Sequence, residues 1–140
     1  MATATLAVIV SNRDFFPDVL VSEARKELLA LFKTMDIEAI ILDPSATKLG
    51  GVETHSDAVH CADLFRAHPS RIDGVLVELP NFGDERGVAD ALRLSRLEVP
   101  SWCTAIPTTS KNSTWKDDAM RSAGKYPSAI TCGSMGFATH

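Results

Sequence analysis

Short apolar runs alternate along the chain with longer stretches in which apolar residues recur every three or four positions. The runs are Leu6 to Val10, Ile37 to Leu42 and Val75 to Leu79, and a fourth begins at Glu98. Continuous aliphatic runs of this length are typical of strands buried on both faces of a parallel sheet. Because helical patterns separate them, right-handed βαβ crossovers are expected. The sequence therefore predicts an α/β fold with three α/β/α layers and a parallel sheet of about four strands.

The stretches between the runs predict three amphipathic helices. Their apolar residues are, helix by helix, Leu20, Ala24, Leu28, Leu31, Phe32 and Met35, then Ala58, Cys61, Ala62 and Phe65, then Val88, Ala91 and Leu92. Thr54 and Asp57 precede the second helix with the spacing of a capping box, in which an aspartate replaces the usual longer acid.

The stretch from Ile72 to Gly87 organises the rest of the chain. It reads as a buried strand that breaks at Pro80, a polar loop that reaches Arg86, and a helix that follows Gly87. Ligands of open α/β sheets bind at the carboxyl ends of the strands. This loop, together with the residues that follow the first strand, is therefore the candidate site. The candidate residues are Arg13, Asn81, Phe82, Asp84 and Glu85.

Composition narrows the class of protein. With 140 residues, the chain is long enough for one domain with its own core, and its formal charge of -4 gives no reason to expect a nucleic acid or an anionic membrane as partner. The apolar runs are too short to span a bilayer, and the N-terminus lacks the pattern of a secretory signal, so a cytoplasmic location is expected. Three widely spaced cysteines fit neither a disulfide framework nor a zinc site, and Cys61 is expected to be a small buried hydrophobe.

The character of the chain changes after Pro100. Residues 101–140 contain twelve Ser or Thr residues and two acids against four bases, whereas the first hundred residues hold sixteen acids and ten bases. No period of a helix or strand is sustained in this tail. A disordered extension is one explanation, although two tryptophans, a tyrosine and a phenylalanine are unusual for disorder.

Three long stretches resemble the N-terminal domain of the L-fucose/L-arabinose isomerase-like family of sugar isomerases. They are residues 10–18 (VSNRDFFPD), 41–54 (ILDPSATKLGGVET) and 79–93 (LPNFGDERGVADALR). The resemblance implies a Rossmann-like domain that is followed, in longer family members, by domains that hold a divalent metal, usually Mn²⁺. It also implies a small-molecule sugar as ligand and a homo-oligomer for the full-length protein. No metal ligand, catalytic residue or cofactor is expected within this chain itself.

The same resemblance suggests an origin for the tail. Family members continue after the Val-Pro pair with a segment like VLVHAYPD and later RRDAFCGKISVCNN. If the codons after Pro100 are regrouped by one base, Cys103 is forced to become Val and Lys116 to become Glu. From Asp118 onward the regrouped codons permit the whole second segment. The hypothesis is that one nucleotide is missing near codon 100. On this view, residues 101–140 are translated out of frame. Residues 1–106 form the Rossmann-like domain, and residues 107–140 are an irregular tail within the out-of-frame part.

Each candidate residue keeps an alternative. Asp84 and Glu85 either cap and solvate the following helix or contact a sugar. Arg13 either donates hydrogen bonds to sugar hydroxyls or forms a surface ion pair with Asp14 or Asp18. Phe82 stacks either on a sugar face or on a neighbouring subunit.

Three functions are compatible with these patterns. The first is the N-terminal domain of a metal-dependent aldose–ketose isomerase, which contributes sugar and oligomer contacts and is inactive alone. The second is a stand-alone α/β module that binds a sugar without catalysis. The third, a nucleotide-binding domain, is the weakest, because the turn after the first strand has no glycine to admit a phosphate.

Overall fold

The structure, a computed structural model, describes residues 2–13, 15–80 and 83–104. In chain order the elements are strand β1 (Ala4–Val10), helix α1 (Val19–Met35), strand β2 (Ile37–Ile41), a short 3-10 helix (Lys48–Gly50), helix α2 (His55–Arg66), strand β3 (Gly74–Glu78), helix α3 (Glu85–Ser95) and strand β4 (Ser101–Thr104). The predicted irregular tail, residues 107–140, lies outside the described residues.

The four strands form one parallel sheet in the order β2-β1-β3-β4. In the central strand β1, Leu6 lies opposite Ala39 of β2 on one side and Gly74 of β3 on the other. The predicted α/β fold with a parallel sheet of four strands is confirmed.

Side chains of β1 alternate between two cores, one on each face of the sheet. Val8 and Val10 join the buried residues of α1, which are Val21, Ala24, Leu28 and Phe32. Ala7 and Ile9 instead join the core that contains residues of α2 and α3, including Cys61 and Phe65. Because both faces of β1 are covered, every residue of its second half must be apolar, which explains the unbroken run in the sequence. The expected burial of Cys61 is confirmed.

Two element boundaries differ from the sequence prediction. Helix α3 begins at Glu85, so Glu85 and Arg86 belong to its first turn and not to the preceding loop. Strand β4 begins at Ser101 and not at Glu98. Pro100 contributes only its carbonyl oxygen, which accepts a hydrogen bond from the amide of Val75 at 2.9 Å. Since proline has no N–H to donate to a strand ladder, the regular pairing starts after it.

Helix α2 begins as the sequence indicates. The Thr54 hydroxyl accepts a hydrogen bond from the amide of Asp57, and the Asp57 carboxylate accepts one from the amide of Thr54. This reciprocal pair confirms the predicted capping box. Within the part of the chain that the structure describes, no helix has the length and apolar character needed to cross a membrane.

Candidate functional site

The strand order reverses at β1, and this reversal creates a crevice. From β1 the chain passes through α1 to β2 on one side, and it then returns across the opposite face through α2 to β3 on the other side. The segments that follow β1 and β3 therefore diverge to opposite faces of the sheet. Such a switch point is where ligands bind in doubly wound α/β folds.

Ser11 joins three segments at the floor of this crevice. It is fully buried, and its amide donates to the carbonyl of Glu78 at the end of β3 at 3.0 Å. Ser11 also pairs with Val52, and its hydroxyl accepts a hydrogen bond from the amide of Asp84 at 2.9 Å. These bonds fix the end of β1, the segment that precedes α2 and the segment that precedes α3 relative to one another.

A pocket of about 540 Å³ opens above this floor. Its volume lies in the range of small-molecule sites, about 300–1,000 Å³. Most of its lining side chains are charged or polar, and they come from all three segments: Arg13, Phe15, Glu53, Thr54, His55, Asp84, Arg86, Gly87 and Asp90. Such a lining supplies many hydrogen-bond donors and acceptors, which suits a ligand rich in hydroxyl groups.

Glu53 is an enclosed carboxylate of the pocket. Its side chain is only 9% exposed. The Asn12 amide nitrogen donates to Glu53 Oε1 at 2.9 Å, and Lys48 Nζ lies 3.9 Å from Glu53 Oε2. Asn12 itself is fully buried, and its side-chain oxygen has no hydrogen-bond partner among the residues that the structure describes. The buried amide holds one carboxylate oxygen in place, so Glu53 is a preorganised acceptor.

His55 and Asp90 form a pair that links the start of α2 to the middle of α3. The His55 Nδ1 atom lies 2.7 Å from Asp90 Oδ2, and Arg93 donates to Asp90 Oδ1 at 3.2 Å. The hydrogen bond from His55, with that from Arg93, holds the pKa of Asp90 below its usual value. Asp90 therefore remains a carboxylate, which orients the His55 ring so that Nδ1 faces Asp90.

Asp84 lies in the pocket lining and also caps α3. Its Oδ2 accepts a hydrogen bond from the amide of Gly87 at 3.0 Å. The predicted capping role of Asp84 is thus present in the structure, and the sugar-contact role stays a prediction.

Arg13 also lines the pocket, but its ion-pair partner differs from both predicted ones. Its guanidinium lies 3.6 Å from the Glu85 carboxylate. Asp18, one of the predicted partners, instead pairs with Lys48 at 2.9 Å, because the start of α1 faces the loop that contains Lys48. The other predicted partner, Asp14, lies outside the described residues.

Glu85 is not among the described residues that line the pocket. The Glu85 side chain is 89% exposed on the first turn of α3, where it faces Arg13. Asn81 and Phe82 lie outside the described residues, so their predicted contacts stay predictions.

Seven of the nine described lining residues were not among the candidates from the sequence: Phe15, Glu53, Thr54, His55, Arg86, Gly87 and Asp90. Phe15 could have been selected from the sequence, because it is an aromatic residue that follows the first strand. In the structure its side chain is 77% exposed. Glu53 follows Val52, whose pairing with Ser11 brings it to the crevice, and no local pattern indicates that pairing.

The resemblance implies a metal in the longer family members, and the described side chains do not match that role. Among the described residues, no group of three or more His, Cys, Asp or Glu has a geometry that could hold a metal ion. The carboxylates of the pocket are committed to Asn12, to the cap of α3 and to His55. The described part of the chain does not fit a metal site, and no metal-dependent step is assigned to it.

Comparison with known families identifies the domain. Residues 7–120 match the sequence profile of the family described as fucose/sulfoquinovose isomerase, N-terminal domain. No individually curated protein matches the chain significantly. The matched region begins within β1, includes every later element through β4 and continues into the tail. Since it accounts for most of the chain, the protein belongs to the fucose/sulfoquinovose isomerase family and contains that family's N-terminal domain.

Proposed function

We propose that the chain is the sugar-contacting N-terminal domain of a metal-dependent aldose–ketose isomerase. In that reaction a proton moves between adjacent carbons of the sugar through an enediol. A divalent metal, with Mn²⁺ the expected ion, would polarise the two substrate oxygens in domains outside this sequence. The role of this domain is to bind and orient the sugar, and it also contributes contacts to a homo-oligomer.

The observation that carries this proposal is the pocket at the switch point. Arg13 and Asp84, which were selected from the sequence as sugar-contacting residues, both line it. Arg13 supplies several N–H donors in a fixed plane. Asp84 uses Oδ2 to cap α3, and its other carboxylate oxygen, Oδ1, is the atom proposed to accept from a sugar hydroxyl. Phe15 adds an exposed aromatic face at the same pocket, suited to the apolar side of a sugar ring.

The composition of strand β4 bears on the proposed change of reading frame. In β4, Ser101 and Trp102 are exposed, Trp102 to 46%, whereas the central strand of the sheet is buried along its second half. The regrouped codons would place Val-Leu-Val-His at residues 101–104, a sequence more typical of a parallel strand. The family match extends to residue 120, which includes half of the residues that this hypothesis assigns to out-of-frame translation. The frame change remains a prediction that the nucleotide sequence decides.

The test combines the gene and an assay. If the nucleotide sequence contains a continuing isomerase frame one base away, the restored protein should interconvert an aldose and its ketose with Mn²⁺ present. The 140-residue chain alone should give no turnover above background. Turnover by the short chain, or no activity from a restored full-length protein with fucose and related aldoses, would contradict the proposal.

A stand-alone sugar-binding module is the second candidate. It is favoured by the pocket, because nine described residues of this one domain line it. The two functions separate at the gene: a module of this kind predicts sugar binding without any continuing isomerase frame.

A further inference from the structure

Three carboxylates in the lining of the pocket outnumber its two guanidinium groups. Glu53, Asp84 and Asp90 contribute three carboxylates to the lining, against the guanidinium groups of Arg13 and Arg86 and the ring of His55. Arg13 is partly neutralised, because the Glu85 carboxylate lies 3.6 Å away. His55 faces Asp90 at 2.7 Å. An anionic group that entered the pocket would therefore meet a carboxylate beside two of its three bases, Arg13 and His55.

The helix ends that border the pocket do not compensate for these carboxylates. A helix N-terminus ordinarily attracts anions through its free amide groups. At α2, the amides of Glu53 and Thr54 already donate to the Asp57 carboxylate. At α3, the amide of Gly87 donates to Asp84. Both ends are thus supplied with anions from the chain's own side chains.

Glu53 is the least adaptable of these groups. Its side chain is 9% exposed and one of its oxygens is bound by the Asn12 amide, so it cannot turn away from a ligand into solvent. A carboxylate held in this way accepts hydrogen bonds from hydroxyl groups and repels a sulfonate or phosphate. Lys48, 3.9 Å from Glu53, is also 2.9 Å from Asp18, which divides its charge between two carboxylates.

We infer that this pocket selects the hydroxyl face of an uncharged sugar over a sugar that carries a sulfonate or phosphate, with Glu53 as a specificity-determining residue. The inference rests on the proposed sugar-binding function and refines it. The family's description names both an uncharged sugar, fucose, and a sulfonated one, sulfoquinovose. The carboxylates of this chain favour the first kind.

The experiment compares two ligands on the 140-residue chain. L-fucose and sulfoquinovose are each titrated at low ionic strength, and dissociation constants are obtained by ligand-observed NMR. We expect sulfoquinovose to bind at least about tenfold more weakly, a difference of about 1.4 kcal/mol. Added salt should narrow the gap, because it screens the repulsion.

Charge-removing variants identify the source of the selectivity. Glu53→Gln should weaken L-fucose binding and reduce the preference for it. Asp84→Asn should also reduce that preference while it preserves the helix cap, since asparagine caps helices as well as aspartate. This second variant keeps the test valid if Glu53→Gln does not fold. The matched control is Asp63→Asn, which removes an exposed acid paired with Arg66 on α2, outside the pocket lining, and should leave both affinities unchanged.

The outcomes separate the two claims. Equal or tighter binding of sulfoquinovose overturns the selectivity inference and leaves the sugar-binding function standing. Binding of neither sugar overturns both. A preference for L-fucose that survives unchanged in folded Glu53→Gln and Asp84→Asn overturns the role of these carboxylates.

Discussion

Gly83 provides a sharp test of how the crevice is assembled. A Cβ atom at this buried position would lie 2.5 Å from Leu79 Cδ2 and 2.6 Å from Ser11 Oγ. Side-chain atoms do not approach this closely, so Gly83→Ala must displace Ser11 or the segment before α3. Ser11 Oγ accepts the hydrogen bond from the Asp84 amide at 2.9 Å, and this displacement would break it.

The cost of Gly83→Ala follows from two contributions. Overpacking of a close-packed site costs about 1–3 kcal/mol. Loss of one buried hydrogen bond adds about 0.5–1.5 kcal/mol. We therefore expect the free energy of unfolding to fall by about 2–4 kcal/mol, which is a large part of the stability of a small domain. Urea denaturation followed by circular dichroism measures it, with the m-value as a check on two-state behaviour.

Gly51→Ala is the matched control for this experiment. Gly51 is also buried, but its Cβ would meet no atom closer than 3.4 Å, and its backbone has φ -86° and ψ 162°, which alanine adopts without strain. We expect this variant to be neutral, or more stable by up to about 1 kcal/mol through the entropy of the unfolded chain. A Gly83→Ala variant within about 0.5 kcal/mol of wild type would refute the proposed contact between Ser11 and the loop.

Three further predictions follow from the same structure. In the frame-corrected enzyme, Arg13→Ala should lower kcat/KM about tenfold to a hundredfold, because a charged hydrogen-bond donor to the sugar is lost. The control Arg71→Ala removes an exposed partner of Glu38 before β3 and should change kcat/KM less than twofold. Equal effects of the two substitutions would contradict a sugar contact by Arg13. Burial raises the pKa of Cys61 to about 12. In a variant whose other two cysteines are replaced by serine, a thiol reagent at about pH 9 should therefore react only after unfolding. The free energy of unfolding should also fall as the pH rises above about 8.5, because the thiol then ionises in the unfolded chain and not in the folded one. Arg96 ends α3 with φ 53° and ψ 31°, a left-handed conformation that glycine adopts more readily than arginine. Arg96→Gly should therefore raise the free energy of unfolding by about 0.5–1 kcal/mol. A lower free energy of unfolding in urea denaturation would contradict this.

Much of the fold could be predicted because burial on both faces leaves a direct mark on the sequence. Every residue from Ala7 to Val10 is buried, and each is apolar. The buried face of α2, from Ala58 to Phe65, follows the helical spacing for the same reason. These constraints act within one element, so a single sequence is enough to recognise them.

The site was harder to predict because it depends on contacts between distant segments. Glu53 reaches the pocket only because Val52 pairs with Ser11, forty-one positions earlier in the chain. The start of α3 was placed too late because its first turn is polar and its cap, Asp84, has no apolar period around it. His55 and Asp90 meet through the packing of α2 on α3, which the spacing within either helix does not reveal.

The central claim is that the switch-point pocket binds a sugar, and a ¹H–¹⁵N NMR titration of the chain with L-fucose tests it most directly. We predict saturable shifts at the amides of Arg13, Glu53, His55, Asp84 and Gly87, which line the pocket. Amides beside the second pocket, near Ser22, Leu29 and Leu49, should not move, since the surface that this pocket exposes is mostly apolar. Shifts confined to that second pocket, or no saturable shifts at all, would contradict the account.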